Sequence, residues 1–472
     1  MNYNKDLLSF FEITEDNLKR LIYIALSNGG EFADLYFEHT ISSEIILRDG
    51  KVNAAGSNID FGMGVRVVVG DQTGYAYTEI TTMKEMEKAA ITAAQIANSK
   101  TSNQSGLNIN NLSFQNYYKI NKSWVNFEIS DKLPILNKIN DLVFSLDSRV
   151  NKVMARISDS TSKILMFNSF GELSSDIRPI ASLVATCIME DGNRVENATS
   201  SRSFRMGTEM ITDSLIEEIS HEVVESCSFL FKAIQPKGGE MPVVMGSGGS
   251  GILLHEAIGH AFEADFNRQK KSIFTDKLGK KICADNISVI DDGTIPFNRG
   301  SLNVDDEGVE SQKTYMVKNG ILTSYLHDRI SAIHYGVKPT GNGRRESFRF
   351  MPLPRMRTTY MENGDTEERD LIAQVKKGIY VDSFSNGQVQ IGAGDFTFYV
   401  KSGYLIEGGK LTQPIKDINI IGNGPEALSN IVGVGNNFKI DDGTWVCGKE
   451  QYCAVSCGMP SILVKSLTVG GI

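Results

Sequence analysis

The 472-residue chain has only six histidines, six cysteines and two tryptophans, and each scarcity narrows what it can be. So few cysteines in so long a chain cannot build a disulfide scaffold, which leaves burial of apolar side chains to hold the fold. No apolar run approaches the roughly 20 residues of a membrane-spanning helix. The opening Met1-Asn2-Tyr3-Asn4-Lys5-Asp6 lacks the basic region, apolar core and small-residue cleavage site of a signal peptide, so the expected location is cytoplasmic. Excess positive charge is also missing: 48 Lys and Arg face 57 Asp and Glu, for a net charge of −9. The two signs are interspersed, which removes nucleic acid and anionic membrane as expected partners.

The length exceeds one ordinary core and predicts two domains. Pro236-Lys237-Gly238-Gly239 is the natural boundary, dividing the chain into residues 1–237 and 238–472. In the first part, Thr14 is a helix N-cap, with Leu18, Leu21, Ile22 and Ala25 at helical spacing behind it. Short strands then alternate at 34–39, 43–48, 64–69 and 74–78, with hairpin turns at Asp49-Gly50 and Gly70-Asp71. Helices follow at 83–98 and 130–146, separated by an asparagine-rich segment at 100–121, then strands at 150–167 and 178–189 and a helix at 214–232. The second part reads as short strands punctuated by Asp291-Asp292-Gly293, Asn319-Gly320, Ser385-Asn386-Gly387 and Gly408-Gly409. The predicted class is α+β: a mixed sheet-and-helix N-terminal domain, then a β-rich sandwich or barrel around one central helix.

That helix is the stretch from Leu253 to Asp265, which gathers His255, Glu256 and His260. Helical zinc motifs place histidines four apart, on one face. Here the separation is five, roughly 140° around an ideal helix at about 100° per residue. A wider π-type turn would bring the rings together, and Gly259 is where glycine's conformational freedom makes one cheapest. Glu256 would then suit general-base work on water activated by zinc. His221-Glu222-Val223-Val224-Glu225 resembles a metal motif but reads better as a solvated helix face. Gly246-Ser247-Gly248-Gly249-Ser250-Gly251 fits a dinucleotide-binding loop, yet no βαβ series follows it; Gly248 and Gly249 suit close approach of a peptide backbone instead. His327, Arg344 and Arg345 are further candidates for substrate contact, the arginines because a guanidinium offers fixed, paired donors. Two histidines leave zinc incomplete. Cys447 is the preferred third ligand, with Cys453 and Cys457 as rivals.

The segments His255-Glu256-Ala257-Ile258-Gly259-His260, 339–347, 421–427 and Cys447-Gly448-Lys449, with the ending 467–471, together resemble the TldD/PmbA family of metallopeptidases over essentially the whole chain. The resemblance implies zinc held by His255, His260 and Cys447, with Glu256 as general base. It implies a homodimer, or a heterodimer with a related subunit that lacks the metal motif, and substrates that are unfolded or short peptides, including leader segments of modified peptides. Such a peptide would be bound through main-chain pairing with a strand edge. The rival reading is a non-catalytic peptide-binding subunit of a hetero-oligomeric protease.

Overall fold

A computed structural model describes residues 3–98, 106–390 and 392–471. Two antiparallel strands of 17 and 19 residues, Phe32–Arg48 and Lys51–Val69, form the spine of the N-terminal half. Asp49 and Gly50, both at positive φ, close the hairpin between them. Three short strands, at 34–39, 43–48 and 64–69, were expected where these two run unbroken; the fourth, at 74–78, is the separate strand Gln72–Thr78 beside Lys51–Val69. Thr40 pairs with both Asp60 and Ser162, so main-chain bonding to two neighbours carries the central strand across its polar middle. Side-chain alternation is a weaker signal than that pairing. Val150–Asn168, Glu172–Asp191 and Arg194–Phe204 extend the sheet; no reading of the sequence had identified the last of these.

Among the described residues, helices cover one face of this sheet, the short Asn4–Phe10 with its buried Leu7 among them. Glu15–Ala25 begins with a reciprocal Thr14–Asn17 capping box and buries Leu18, Leu21, Ile22 and Ala25. With Met83–Ala94 it packs on Ala33, Leu35 and Phe37, while Ile129–Leu146 and Asp213–Leu230 pack on Ile45 and Leu47. The alternate residues Asp34, Tyr36 and Glu38 point the other way, against the C-terminal half. There Asp34 binds Arg66 and Arg345, and Asp306 binds Arg178. The asparagine-rich segment expected at 100–121 lies partly outside the described residues.

In the C-terminal half, Gly239–Met245 runs parallel to Lys377–Gln390 and antiparallel to Ile462–Gly471. Ile418–Asn423 and Asp395–Glu407 close the circuit, giving a closed five-stranded barrel. The molecule is α+β, 24% helical and 43% strand. Ser385-Asn386-Gly387, read as a turn, lies inside Lys377–Gln390, where register shifts at Ser383 and Phe384 absorb the irregularity. Behind the glycine loop stands this barrel, not the parallel βαβ series of a dinucleotide site. Among the described residues no helix is long and apolar enough to cross a membrane.

Candidate metal centre

The chain enters the centre through the glycine loop. Gly248 sits at φ 80°, a conformation that residues with a Cβ rarely adopt, and its N–H donates to the Met459 carbonyl at 2.9 Å. A 3₁₀ turn at Gly249–Gly251 leads to a π-helix at Leu254–Gly259 and a second 3₁₀ turn at His260–Phe262. The His260 N–H donates to the carbonyl of His255, five residues back. That wider turn stacks residues five apart, and the two imidazole rings stand 5.0 Å apart at 82°.

Gly259 is needed for a reason other than the expected one. Its backbone is ordinary right-handed helix, φ −60° and ψ −48°, so conformational freedom is not used. A Cβ there would instead lie 2.3 Å from Met356 Sδ and 3.0 Å from the Leu254 carbonyl oxygen. Gly259→Ala should therefore destabilise the protein by about 1–3 kcal/mol through overpacking, read as a lower urea midpoint at unchanged slope.

The third member arrives from 187 residues away. Val446–Lys449 and Gln451–Ala454 form a hairpin whose buried face presents Cys447, Lys449, Gln451 and Cys453. Cys447 Sγ lies 3.3 Å from His260 Nε2. One ligand atom from each of His255, His260 and Cys447 falls within 4.8 Å of the others, and all three residues are buried. Neither ring nitrogen of His255 has a hydrogen-bond partner among the described residues. A buried imidazole with both nitrogens unsatisfied is costly, and a cation favouring nitrogen and sulfur would satisfy it.

The surroundings prepare these groups to act as ligands. Burial pushes the Cys447 thiol up, but the adjacent imidazoles outweigh it and bring it down to about 4, which favours thiolate. His260 Nδ1 lies 2.9 Å from Glu263 Oε2, an arrangement that orients the ring and leaves Nε2 facing Cys447. Lys449 binds both Glu263, at 3.0 Å, and Asp265, at 2.8 Å. Against the cost of burial, Lys449 and His260 hold Glu263 down at about 2. Arg355 donates to the Cys447 carbonyl at 2.8 Å and to Cys453 Sγ at 3.4 Å, pinning the hairpin from behind. Glu256 keeps a partly exposed side chain, with Oε2 4.0 Å from His260 Nε2.

Comparison with known proteins places the chain in a family. Residues 33–97, 122–226 and 238–471 match the first, central and C-terminal domains of the PmbA/TldA metallopeptidases. The Metalloprotease TldD homolog of Haemophilus influenzae is 37% identical, with 98% of each chain covered. The chain belongs to the TldD/PmbA metallopeptidase family. Another relative, a metalloprotease of Methanothermobacter thermautotrophicus, is 30% identical over 98% of this chain and 100% of its own. TldE of Thermococcus kodakarensis shares the fold at a TM-score of 0.74 and 20% identity, covering 96% of this chain and all of that one. A Thermotoga maritima protein described as a candidate modulator of a DNA gyrase does so at 0.78 and 22%, covering 97% and 100%.

The structure brings together only part of what the sequence nominated in this TldD/PmbA chain. Cys453 and Cys457 lie outside the three-residue cluster, and burial pushes both thiols up. His327 is buried against Tyr325 and Tyr335, its Nδ1 without a hydrogen-bond partner among the described residues, and burial lowers its pKa to about 4. Arg345 is engaged by Asp34 and the Asp306 carbonyl between the two halves. Arg344 holds the Met356 and Ala454 carbonyls beside the Cys447 hairpin. Gly248 and Gly249 border a cavity of about 300 Å³ with Lys439, Asp441 and Trp445. His221 is not in the cluster.

Sequence reading missed Glu263, Lys449 and Arg355 as supports of the centre. Glu263 alone carried a local signal, standing three residues after His260, where side chains on one helical turn meet. Glu263→Gln should weaken metal affinity by about 10- to 100-fold, measured by competition with a chromogenic chelator. Unchanged affinity would remove Glu263 from that role.

Proposed function

We propose that this chain is a zinc-dependent peptide hydrolase acting on unfolded or short peptides, leader segments of modified peptides among them. The observation that carries the reading is the buried His255–His260–Cys447 cluster, with His255 unsatisfied and Glu256 beside it on the partly exposed side. Zinc held by these three residues would supply Lewis acidity and lower the pKa of water towards ~7. Glu256 accepts the proton of the attacking water and returns it to the leaving amine. Glu263 fixes the orientation of His260, and Lys449 keeps Glu263 ionised.

The Gly248-Gly249 loop offers a peptide main chain close approach, so recognition is by backbone and tolerant of side chains. The fold shared with TldE supports pairing with a related subunit, with a homodimer as the other arrangement, and the intact Glu256 supports the active role for this chain. Digestion of an unfolded peptide should stop on chelation and resume on adding zinc. A purified protein that binds such peptides, retains zinc and cleaves none of them would identify a non-catalytic subunit instead.

A further inference from the structure

Three arginines at the junction of the two halves are unlike the others buried there. Arg205, Arg299 and Arg344 are 5%, 8% and 4% exposed, yet the hydrogen bonds described for each run to neutral oxygens. Arg205 donates to the Pro179 carbonyl at 3.3 Å, and its buried Nε has no hydrogen-bond partner among the described residues. Arg299 holds the Trp445 carbonyl at 2.8 Å and Ser203 Oγ at 2.6 Å. Arg344 holds the carbonyls of Met356 and Ala454. By contrast Arg66, Arg178 and Arg357 are each matched to a buried carboxylate. A buried charge without a counter-charge is costly. Burial first, and then the neighbouring guanidiniums, hold Arg299 down at about 10; burial with Arg178 and Arg344 does the same for Arg205, against the opposing influence of Tyr118 and Asp176.

The cations converge on open space. Arg205 and Arg344 line a cavity of about 170 Å³, and Arg299 lines an adjoining one of about 720 Å³; Ser160, Ile180 and Ala454 belong to both. The acids on the smaller cavity accept from other groups, and no hydrogen bond described joins any of them to these three arginines. Asp306 serves Arg178 and the Arg345 N–H, Glu38 accepts from Thr40 and the Phe348 N–H, and Glu346 accepts from the Tyr452 N–H at 2.6 Å. Cys453 stands on the cavity wall directly across the hairpin from Cys447.

We propose that Arg205, Arg299 and Arg344 form a carboxylate-binding subsite that anchors an acidic group of the peptide beside the metal centre. Guanidiniums matched to a carboxylate give short, directional, charge-assisted bonds. The entering anion would give these guanidiniums the carboxylate partner that none of their described hydrogen bonds reaches. The carboxylate belongs either to the free C-terminus of the peptide or to an acidic side chain. The inference rests on the peptidase reading only for the molecule that carries the carboxylate.

The test measures binding without turnover, on full-length, zinc-loaded Glu256→Gln protein, by fluorescence anisotropy of labelled hexapeptides of one sequence. Three endings are compared: free acid, amide, and an amide with one internal asparagine replaced by aspartate. One of the two carboxylate-bearing peptides should bind on the order of tenfold to a hundredfold more tightly than the neutral amide; which one it is assigns the source. Arg205→Gln should collapse that ratio towards one, and Arg205→Lys should restore part of it. Circular dichroism and zinc content identify any variant that fails to fold, in which case the ratio measured with all three arginines intact decides. Equal affinity for all three peptides overturns the subsite. The peptidase reading is judged separately, on cleavage by the unsubstituted protein.

Discussion

Glu256→Gln is expected to retain its zinc and lose peptide cleavage by a factor of about 10²–10⁴, the range typical of a removed general base. Glutamine keeps the shape of the side chain and its hydrogen-bonding reach, but it cannot accept a proton. Glu256 is not one of the three clustered ligand groups, so its replacement leaves His255, His260 and Cys447 in place. The π-helix that carries it owes its form to the backbone and to packing around Gly259, neither of which the substitution touches. Zinc content by plasma mass spectrometry and single-turnover cleavage of an unfolded peptide check the two halves of the expectation together. Cleavage at the unsubstituted rate by zinc-loaded Glu256→Gln protein would remove Glu256 from the chemistry.

The second large effect concerns the junction between the halves. Asp306 is buried, binds Arg178 through its side chain and accepts the Arg345 N–H at 2.8 Å. Asp306→Ala strands the Arg178 guanidinium beside Asp176 alone, and breaking such a buried pair costs about 3–5 kcal/mol. Burial opposes ionisation of Asp306, but Arg178 and Arg345 more than offset it and lower its pKa. A carboxyl lowered in the folded state contributes stability that is present above its unfolded value, about 3.9. It is lost as pH falls through the lower folded value. The penalty of the substitution should therefore be full at neutral pH and shrink below about pH 4. Chemical denaturation at a series of pH values tests this; a penalty independent of pH would show that the charge of Asp306 does not matter.

How much of this was legible beforehand follows from which interactions are local. The Thr14 cap, the Asp49-Gly50 turn and the apolar faces of the long helices depend on residues within a few positions of one another, and the structure has them where the sequence placed them. The five-residue spacing of His255 and His260 foretold a widened turn for a similar reason. Non-local pairing was harder to see. The two long strands looked like three short ones because their polar middles are held by neighbours far away in sequence, and Arg194–Phe204 gave no pattern strong enough to identify. The alternation Asp34, Tyr36, Glu38 was visible, but not that its polar face would be buried against Arg345 and Phe348 more than 300 residues later. In the centre, the histidines were suggested by their spacing, and Cys447 was separated from Cys453 and Cys457 only by the TldD/PmbA resemblance that its Cys-Gly-Lys segment helps carry. Lys449 and Arg355 could not, because their partners Glu263 and Cys447 are brought to them only by the folded hairpin.

The central claim is that His255, His260 and Cys447 hold one metal ion between them. The direct measurement is zinc stoichiometry of the purified chain beside Cys447→Ser and His260→Ala, with circular dichroism to confirm that each is folded. About one zinc per chain is expected, held far more weakly in both variants, because three protein ligands are what a catalytic zinc site requires. Full zinc in folded Cys447→Ser protein would contradict the account.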